Sequence, residues 1–367
     1  SAILRPLAHD FPNIDSAVAE ITRLTAVLTL PKGTIHVISD IHGEDKKLRH
    51  IINNASGTLR PLVEKLFADI PPADLQEFLT LTFYPAEVTA RLEQTLTDPA
   101  ALREFAKKTL QRQFLLVRTL AARYSLKRAL AVFPLEYQQL LAEMLFAPTT
   151  ERGDSFEDAI VHELSRRGSI LHLIHLTGRI IRNLAVDELV IGGDLWDRGP
   201  RGDRVVDYLR QQPNVRFIYG NHDVSWLGAA LGNEALMCNV LRISLRYRRL
   251  AQIDEGYSIP LTPLEHLART VYADDPAQFF MPKAPGMRPM DVIARMQKAA
   301  AIMQFKLEGQ MVARNPHWGL DHRRLLHRIN LQNGTVDVDG TTYALRDKLF
   351  PTLNPDDPYA LSPEEQA

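Results

Sequence analysis

Three apolar, strand-like runs, Thr34 to Ile38, Glu188 to Gly192 and Val215 to Tyr219, each end in a short cluster of glycine and polar donors. The clusters are Ser39-Asp40-Ile41-His42-Gly43, then Gly193-Asp194-Leu195-Trp196-Asp197-Arg198-Gly199, then Gly220-Asn221-His222-Asp223. A strand that runs into a polar loop, used repeatedly, belongs to an α/β core, and the loops at the carboxyl ends of such strands are where these folds build their sites. Only 27 positions separate Gly193 from Gly220, enough for one crossover helix, Asp203 to Gln211, between parallel strands. The second and third clusters are therefore expected to be neighbours. Asp40 and Asp194 are 154 positions apart, whereas one strand-helix-strand unit takes roughly 30. A large insertion must lie between them.

The expected organisation follows. A discontinuous α/β core takes residues 30–57 and 183–255, and a helical insertion takes 58–182, which is rich in Leu, Ala, Arg and Glu and broken at Pro71-Pro72, Pro85, Pro134 and Pro148. Before the core, Ile14, Val18, Ile21, Thr25 and Leu28 recur at helical spacing and lead toward it, ending at Pro31 and Gly33. A second helical insertion takes 256–330, where Val292, Met296, Met303, Leu307 and Met311 form a stripe read as core packing. Residues 331–367 make a hairpin about Asp339-Gly340 and an extended, proline-rich and acidic connector.

Composition narrows the classes of function. Lys plus Arg (43) nearly balance Asp plus Glu (44), so no global field favours nucleic acid or an anionic membrane. Cys238 alone excludes an internal disulfide framework and fits a reducing cytoplasm. No apolar run approaches the length of a membrane span. What remains is chemistry at the clusters, whose Asp, His and Asn donors suit hard or borderline divalent cations such as Mn²⁺, Mg²⁺, Zn²⁺ or Fe²⁺. Two such cations share one oxygen ligand, for which Asp194 is the candidate; Asp40 and His42 serve the first metal and Asn221 the second. A water activated there attacks phosphorus in line, His222 protonates the leaving oxygen, and the planar fork of Arg198 holds phosphate oxygens. Arg242, Arg246 and Arg249 share one helical face by spacing, and this face is a candidate second anion site, with Arg242 and Arg246 as substrate-binding residues. The basic stretch Lys107, Lys108, Arg112, Arg118, Arg123, Lys127 and Arg128 is read as a solvated face.

The clusters match D-x-H, G-D-x-x-D-R-G and G-N-H-[DE], and in this the chain resembles the metallophosphoesterase (calcineurin-like) superfamily, its middle cluster resembling the phosphoprotein-phosphatase branch. A closer resemblance runs along almost the whole chain. LPKGTIHVISDIHGE, INNASG, LAVDELVIGGDLWDRGP, YGNHDVSWLGAALGN, NVLRISLRY, QFKLEGQ and FPTLNPDDPYALSPEE are similar to the class 3 (firmicute-type) fructose-1,6-bisphosphatases. INNASG and QFKLEGQ carry no phosphatase chemistry, so their agreement singles out this family. The resemblance implies hydrolysis of the 1-phosphate of fructose 1,6-bisphosphate in gluconeogenesis, manganese as the metal pair, and Asp197 as the group that orients His222, with Asp223 as the alternative. It also implies that this chain matches the N-terminal half of longer proteins, whose C-terminal half holds the remaining metal-binding histidines. Here His266, His317, His322 and His327 follow no strand-like run and are expected at the surface. A missing C-terminal segment, a second polypeptide or self-association would complete the centre. Competing readings are a phosphoprotein or dinucleotide-polyphosphate phosphatase and a catalytically silent scaffold.

Overall fold

The computed structural model describes residues 4–31, 33–146, 151–284 and 286–367. The protein is a mixed α/β molecule in which helices dominate and six strands form two three-stranded sheets among the described residues. The first sheet has the order β1 (Ile35–Ile38), β2 (Glu188–Ile191), β3 (Val215–Phe217). Its bonds advance in step along both strands of each pair, Asp187 and Gly192 N–H donating to Thr34 and Ile38 O, and Leu189 N–H donating to Asn214 O before Ile218 N–H donates to Ile191 O. The strands are thus parallel, as the short spacing of the second and third clusters requires. The crossover helix between β2 and β3 is Gly202–Leu209. The second sheet is antiparallel: β4 (Ile329–Asn330), β5 (Thr335–Val338) and β6 (Thr341–Ala344), with Val338 paired to Thr341. Asp339 (φ 52°) and Gly340 (φ 76°) supply the two left-handed residues of its hairpin turn. β4 has no sequence signal, being only two residues long.

The described residues divide into two compact units. The first takes those in Ser1–Val37, Arg49–Val190 and Pro213–Arg216. Three of its helices start at prolines, which need no intrahelical partner for a missing N–H in the first turn: Pro72–Phe83, Pro85–Thr95 and Pro99–Ala121. Leu110, Phe114 and Val117 of the last of these pack with Leu173, Ile174 and Ile181 of Ile170–Ala185 to form the core. The basic stretch in this unit is largely paired: Lys107 with Asp158, Lys108 with Asp74, Arg128 with Asp187, while Arg118 donates to the Met144 and Leu145 carbonyls. INNASG ends a helix in a turn with Ala55, Ser56 and Gly57 left-handed, and its Ser56 hydroxyl bonds the His36 ring on β1. The helix Ile14–Val27 forms as spaced, but no residue of it is buried, and Ile14, Val18 and Ile21 lie at the surface. Periodicity reports a helix and not where its apolar face goes.

The second unit takes those in Ile38–Leu48, Ile191–Gln212 and Phe217–Ala367. A long helix, Met290–Arg314, packs along Glu234–Tyr247 and Thr262–Thr270. Val292, Met296 and Ala300 meet Val240 and Leu245, while Met303, Leu307 and Met311 pack with Cys238 and Leu361, so the methionine stripe is core packing. Residues after Phe350 are not a loose connector. Lys306 in QFKLEGQ is fully buried and donates to Thr352 O and to Glu365, each at 2.7 Å. Gln310 donates to Tyr359 O at 2.7 Å, and the chain ends in Pro363–Gln366, capped by Ser362. The acidic composition that suggests solvation instead serves a lysine on the helix beneath, a partner no local pattern reveals. Lys298, about two turns earlier on the same helix, is held likewise by Asp275 and Asp347. Among the described residues no helix is long and apolar enough to cross a membrane.

Candidate metal centre

The three polar clusters all lie in the second unit, and their backbones are tied together before any side chain is considered. His42 N–H donates to Asp194 O at 2.8 Å and Gly43 N–H to Leu195 O at 2.7 Å, joining the first loop to the second. Gly199 is required here, because a Cβ would run into the His42 carbonyl. The third loop is joined by Asp223, which is buried and sits in the first turn of Asn221–Ala230. Its carboxylate accepts from Asp194 N–H (2.7 Å), Leu195 N–H (2.8 Å) and Gly220 N–H (2.9 Å). One acid thus caps a helix and closes the loop of another strand.

Eleven non-glycine residues among those described have positive φ, and four of them are site residues: Asp40 (52°), His42 (49°), Asp194 (54°) and Asp197 (108°). Such conformations cost about 1–3 kcal/mol each and persist where surrounding bonds impose them. The sharp turns aim successive side chains into one region.

Asp197 is the hub of that region and is 6% exposed. Its Oδ2 lies 2.8 Å from Arg198 Nε and 3.4 Å from His42 Nδ1, and its Oδ1 lies 3.5 Å from His222 Nε2. His42 Nδ1 is buried with no hydrogen-bond partner, while Nε2 faces Asp40 Oδ1 at 3.7 Å. Asp194 Oδ1 accepts from His222 N–H at 3.4 Å. Asp40 and Asn221 are exposed. Asp40, His42, Asp194, Asn221, His222, Asp197 and Arg198 therefore gather at the ends of three strands. Arg198 is held charged first by its hydrogen bond to Asp197 and by that carboxylate's charge, with smaller support from Tyr247 and Asp194.

The donor set suits a hard or borderline cation: two carboxylates, an imidazole with one nitrogen turned to a buried acid, and an amide. Among the described residues no group of three or more His, Cys, Asp or Glu is closed tightly enough to hold an ion as the side chains stand. The fit is thus of donor type and of loop convergence.

Arg242 is not part of this gathering. It donates to Gln304 (3.1 Å) and Asn239 (2.9 Å), and burial, then Arg246, push its guanidinium below the usual range. The expected common face of Arg242, Arg246 and Arg249 is broken because the helix ends at Tyr247 and Arg248 turns left-handed (φ 55°). Arg249 swings instead to donate from Nε to Arg198 O at 2.6 Å. His266, His317, His322 and His327 are exposed, as their sequence context suggests, and His327 bonds Tyr359. Sequence reasoning undervalued Asp223, whose position three residues into a helix is a readable capping signal. It missed the stacked pair Trp196 and Trp226 (5.2 Å between centroids), which braces the second loop and has no local signature.

The family model for firmicute fructose-1,6-bisphosphatase matches residues 2–367. Relatives named fructose-1,6-bisphosphatase class 3 include those of Clostridium novyi, 37% identical over 99% of this chain, Parabacteroides distasonis, 37% over 99%, and Clostridium acetobutylicum, 35% over 98%. The chain spans 55% of the length of each of these relatives. No solved structure matches it. Matched along its whole length, with INNASG and QFKLEGQ placed as structural elements outside the clusters, the chain belongs to the firmicute fructose-1,6-bisphosphatase family.

Proposed function

We propose that this chain forms the metallophosphoesterase core of a phosphatase that removes the 1-phosphate of fructose 1,6-bisphosphate to leave fructose 6-phosphate. The observation that carries the reading is Asp197, a single buried carboxylate set against His42, His222 and Arg198 together. Asp40, His42, Asp194 and Asn221 are the residues that would hold a divalent pair, with manganese the ion favoured by family resemblance. Bound there, the pair supplies Lewis acidity toward the phosphate and lowers the pKa of water for attack.

The chain's own residues do the rest. Arg198 fits two phosphate oxygens with its fork and offsets charge that grows as the phosphorus–oxygen bond breaks. His222 delivers a proton to the departing sugar oxygen, and Asp197, 3.5 Å from its Nε2, holds the ring in place. Asp197 also faces His42 Nδ1, which leaves Nε2 for a ligand. Asp223 holds the second and third loops in register.

A second reading, a catalytically silent scaffold, is favoured by the absence of a closed ligand group among the described residues. Phosphate release during a manganese titration separates the two, with fructose 1,6-bisphosphate, a phosphopeptide and a diadenosine polyphosphate compared as substrates. Two bound metals with turnover of the sugar bisphosphate support the enzyme. Weak single-metal binding without turnover supports the scaffold, and preference for either other substrate overturns the sugar assignment.

A further inference from the structure

Beside Arg198 lies a group of cations that lack the counter-charges their neighbours have. Arg249 is fastened to the Arg198 carbonyl through Nε (2.6 Å). Lys283 is brought alongside by its backbone N–H, which donates to Arg246 O at 2.8 Å, and its ammonium stands 5.5 Å from the centre of the Tyr247 ring. Tyr247 closes the helix Glu234–Tyr247 two residues before Arg249, the residue that reaches Arg198. Arg248 between them is left-handed; its Nη1 donates to Arg288 O, while its buried Nε and Nη2 have no hydrogen-bond partner.

The contrast with adjacent arginines is informative. Arg201 carries both Asp203 and Glu255, and Arg288 carries Asp254 and Glu265. No carboxylate pairs with Arg249 or Lys283 among the described residues. Arg249 is positioned by its bond to a backbone carbonyl and Lys283 by its own backbone N–H and the Tyr247 ring, which leaves both charges open to a bound anion. Their heads, a guanidinium fork and an ammonium, are together with the Tyr247 phenol donors matched to a phosphate dianion.

We propose that Arg249, Lys283 and Tyr247 form an anion subsite next to Arg198 that takes the unreacting phosphate of a bisphosphorylated substrate. The assignment of that occupant rests on the phosphatase reading of the three loops. The subsite selects sugars with a second phosphate and leaves the bond-breaking residues untouched, so its loss acts on binding more than on turnover.

The test uses the full chain in two arms. In EDTA, inorganic phosphate is titrated by calorimetry. One saturable site is expected, weakened about tenfold or more by Lys283→Gln, the loss of one charge-assisted bond, and largely kept by Lys283→Arg. No saturable site in the unsubstituted protein, or equal binding by Lys283→Gln, overturns the subsite. With manganese, Lys283→Gln is expected to raise KM for fructose 1,6-bisphosphate about tenfold at similar kcat, and to leave p-nitrophenyl phosphate hydrolysis unchanged. Equal loss on both esters overturns the proposal. Lys283-dependent phosphate binding in a protein that hydrolyses neither ester defeats only the phosphatase reading, whereas hydrolysis without that binding defeats only the subsite.

Discussion

The Asp223 carboxylate takes the Asp194 N–H at 2.7 Å, so the acid that opens the helix after β3 also holds the candidate bridging residue after β2. With its bonds to Leu195 and Gly220 it closes three donors that no other group satisfies. Asp223→Ala strands them, at about 1–3 kcal/mol for each buried group left unmade. The expected loss is about 3 kcal/mol in urea unfolding, with weakened metal binding, and Asp223→Asn is expected to fall between. A midpoint unchanged in Asp223→Ala would remove Asp223 from this role.

Asp194 itself has a different sensitivity. Its contact with His222 N–H needs only an oxygen acceptor, which an amide keeps. Asp194→Asn is expected to abolish metal-dependent phosphate release while circular dichroism and the urea midpoint stay near those of the unsubstituted protein. Full activity in this variant rules out the bridging assignment.

Lys306 and Glu365 are both wholly buried, and their contact fixes the last residues of the chain on the long helix. Removing one partner leaves an unpaired buried charge, which costs about 3–5 kcal/mol. Lys306→Met and Glu365→Gln should each show a loss of that order by urea unfolding, and the double variant should recover part of it. Strict additivity in the double-mutant cycle would mean the two do not interact.

Cys238 offers a pH readout. Burial, reinforced by Glu234, Glu365 and Glu308, pushes its thiol from an ordinary 9.0 up to about 11. The folded value lies above the unfolded one, so this thiol's contribution to stability is complete below pH 9 and is lost as pH rises toward 11. Stability should therefore fall through that window, with a shallower slope in Cys238→Ala. Native protein at pH 8 should react with a thiol reagent far more slowly than protein in urea; equal rates would show that the thiol is not shielded.

Much of the site was readable because its elements are local. β1, β2 and β3 are short runs, and each cluster follows its strand after at most two residues, leaving little room to misplace it. Asp339-Gly340 announced the hairpin because few residues other than Gly, Asn and Asp accept left-handed φ readily. The shared face of Arg242 and Arg249 was not readable for the opposite reason: helical spacing puts them together, but the left-handed turn at Arg248 and the approach of Gln304 are set by packing over longer range. The tail was misjudged in the same way, since Glu365 looks solvated until Lys306 is placed beneath it.

By itself the sequence determined which residue types stand at the strand ends, in what order and at what spacing, because the strands, turns and caps that carry them depend on neighbours a few positions away. Only the tertiary structure decided which side chains meet: that Asp197 stands among His42, His222 and Arg198, that Asp223 holds two loops at once, and that Arg249 rather than Arg242 reaches Arg198. The physical reason is that hydrogen bonds and ion pairs act over a few ångströms in space, and which distant residues come that close is settled by the burial of helices whose packing faces the local pattern does not assign.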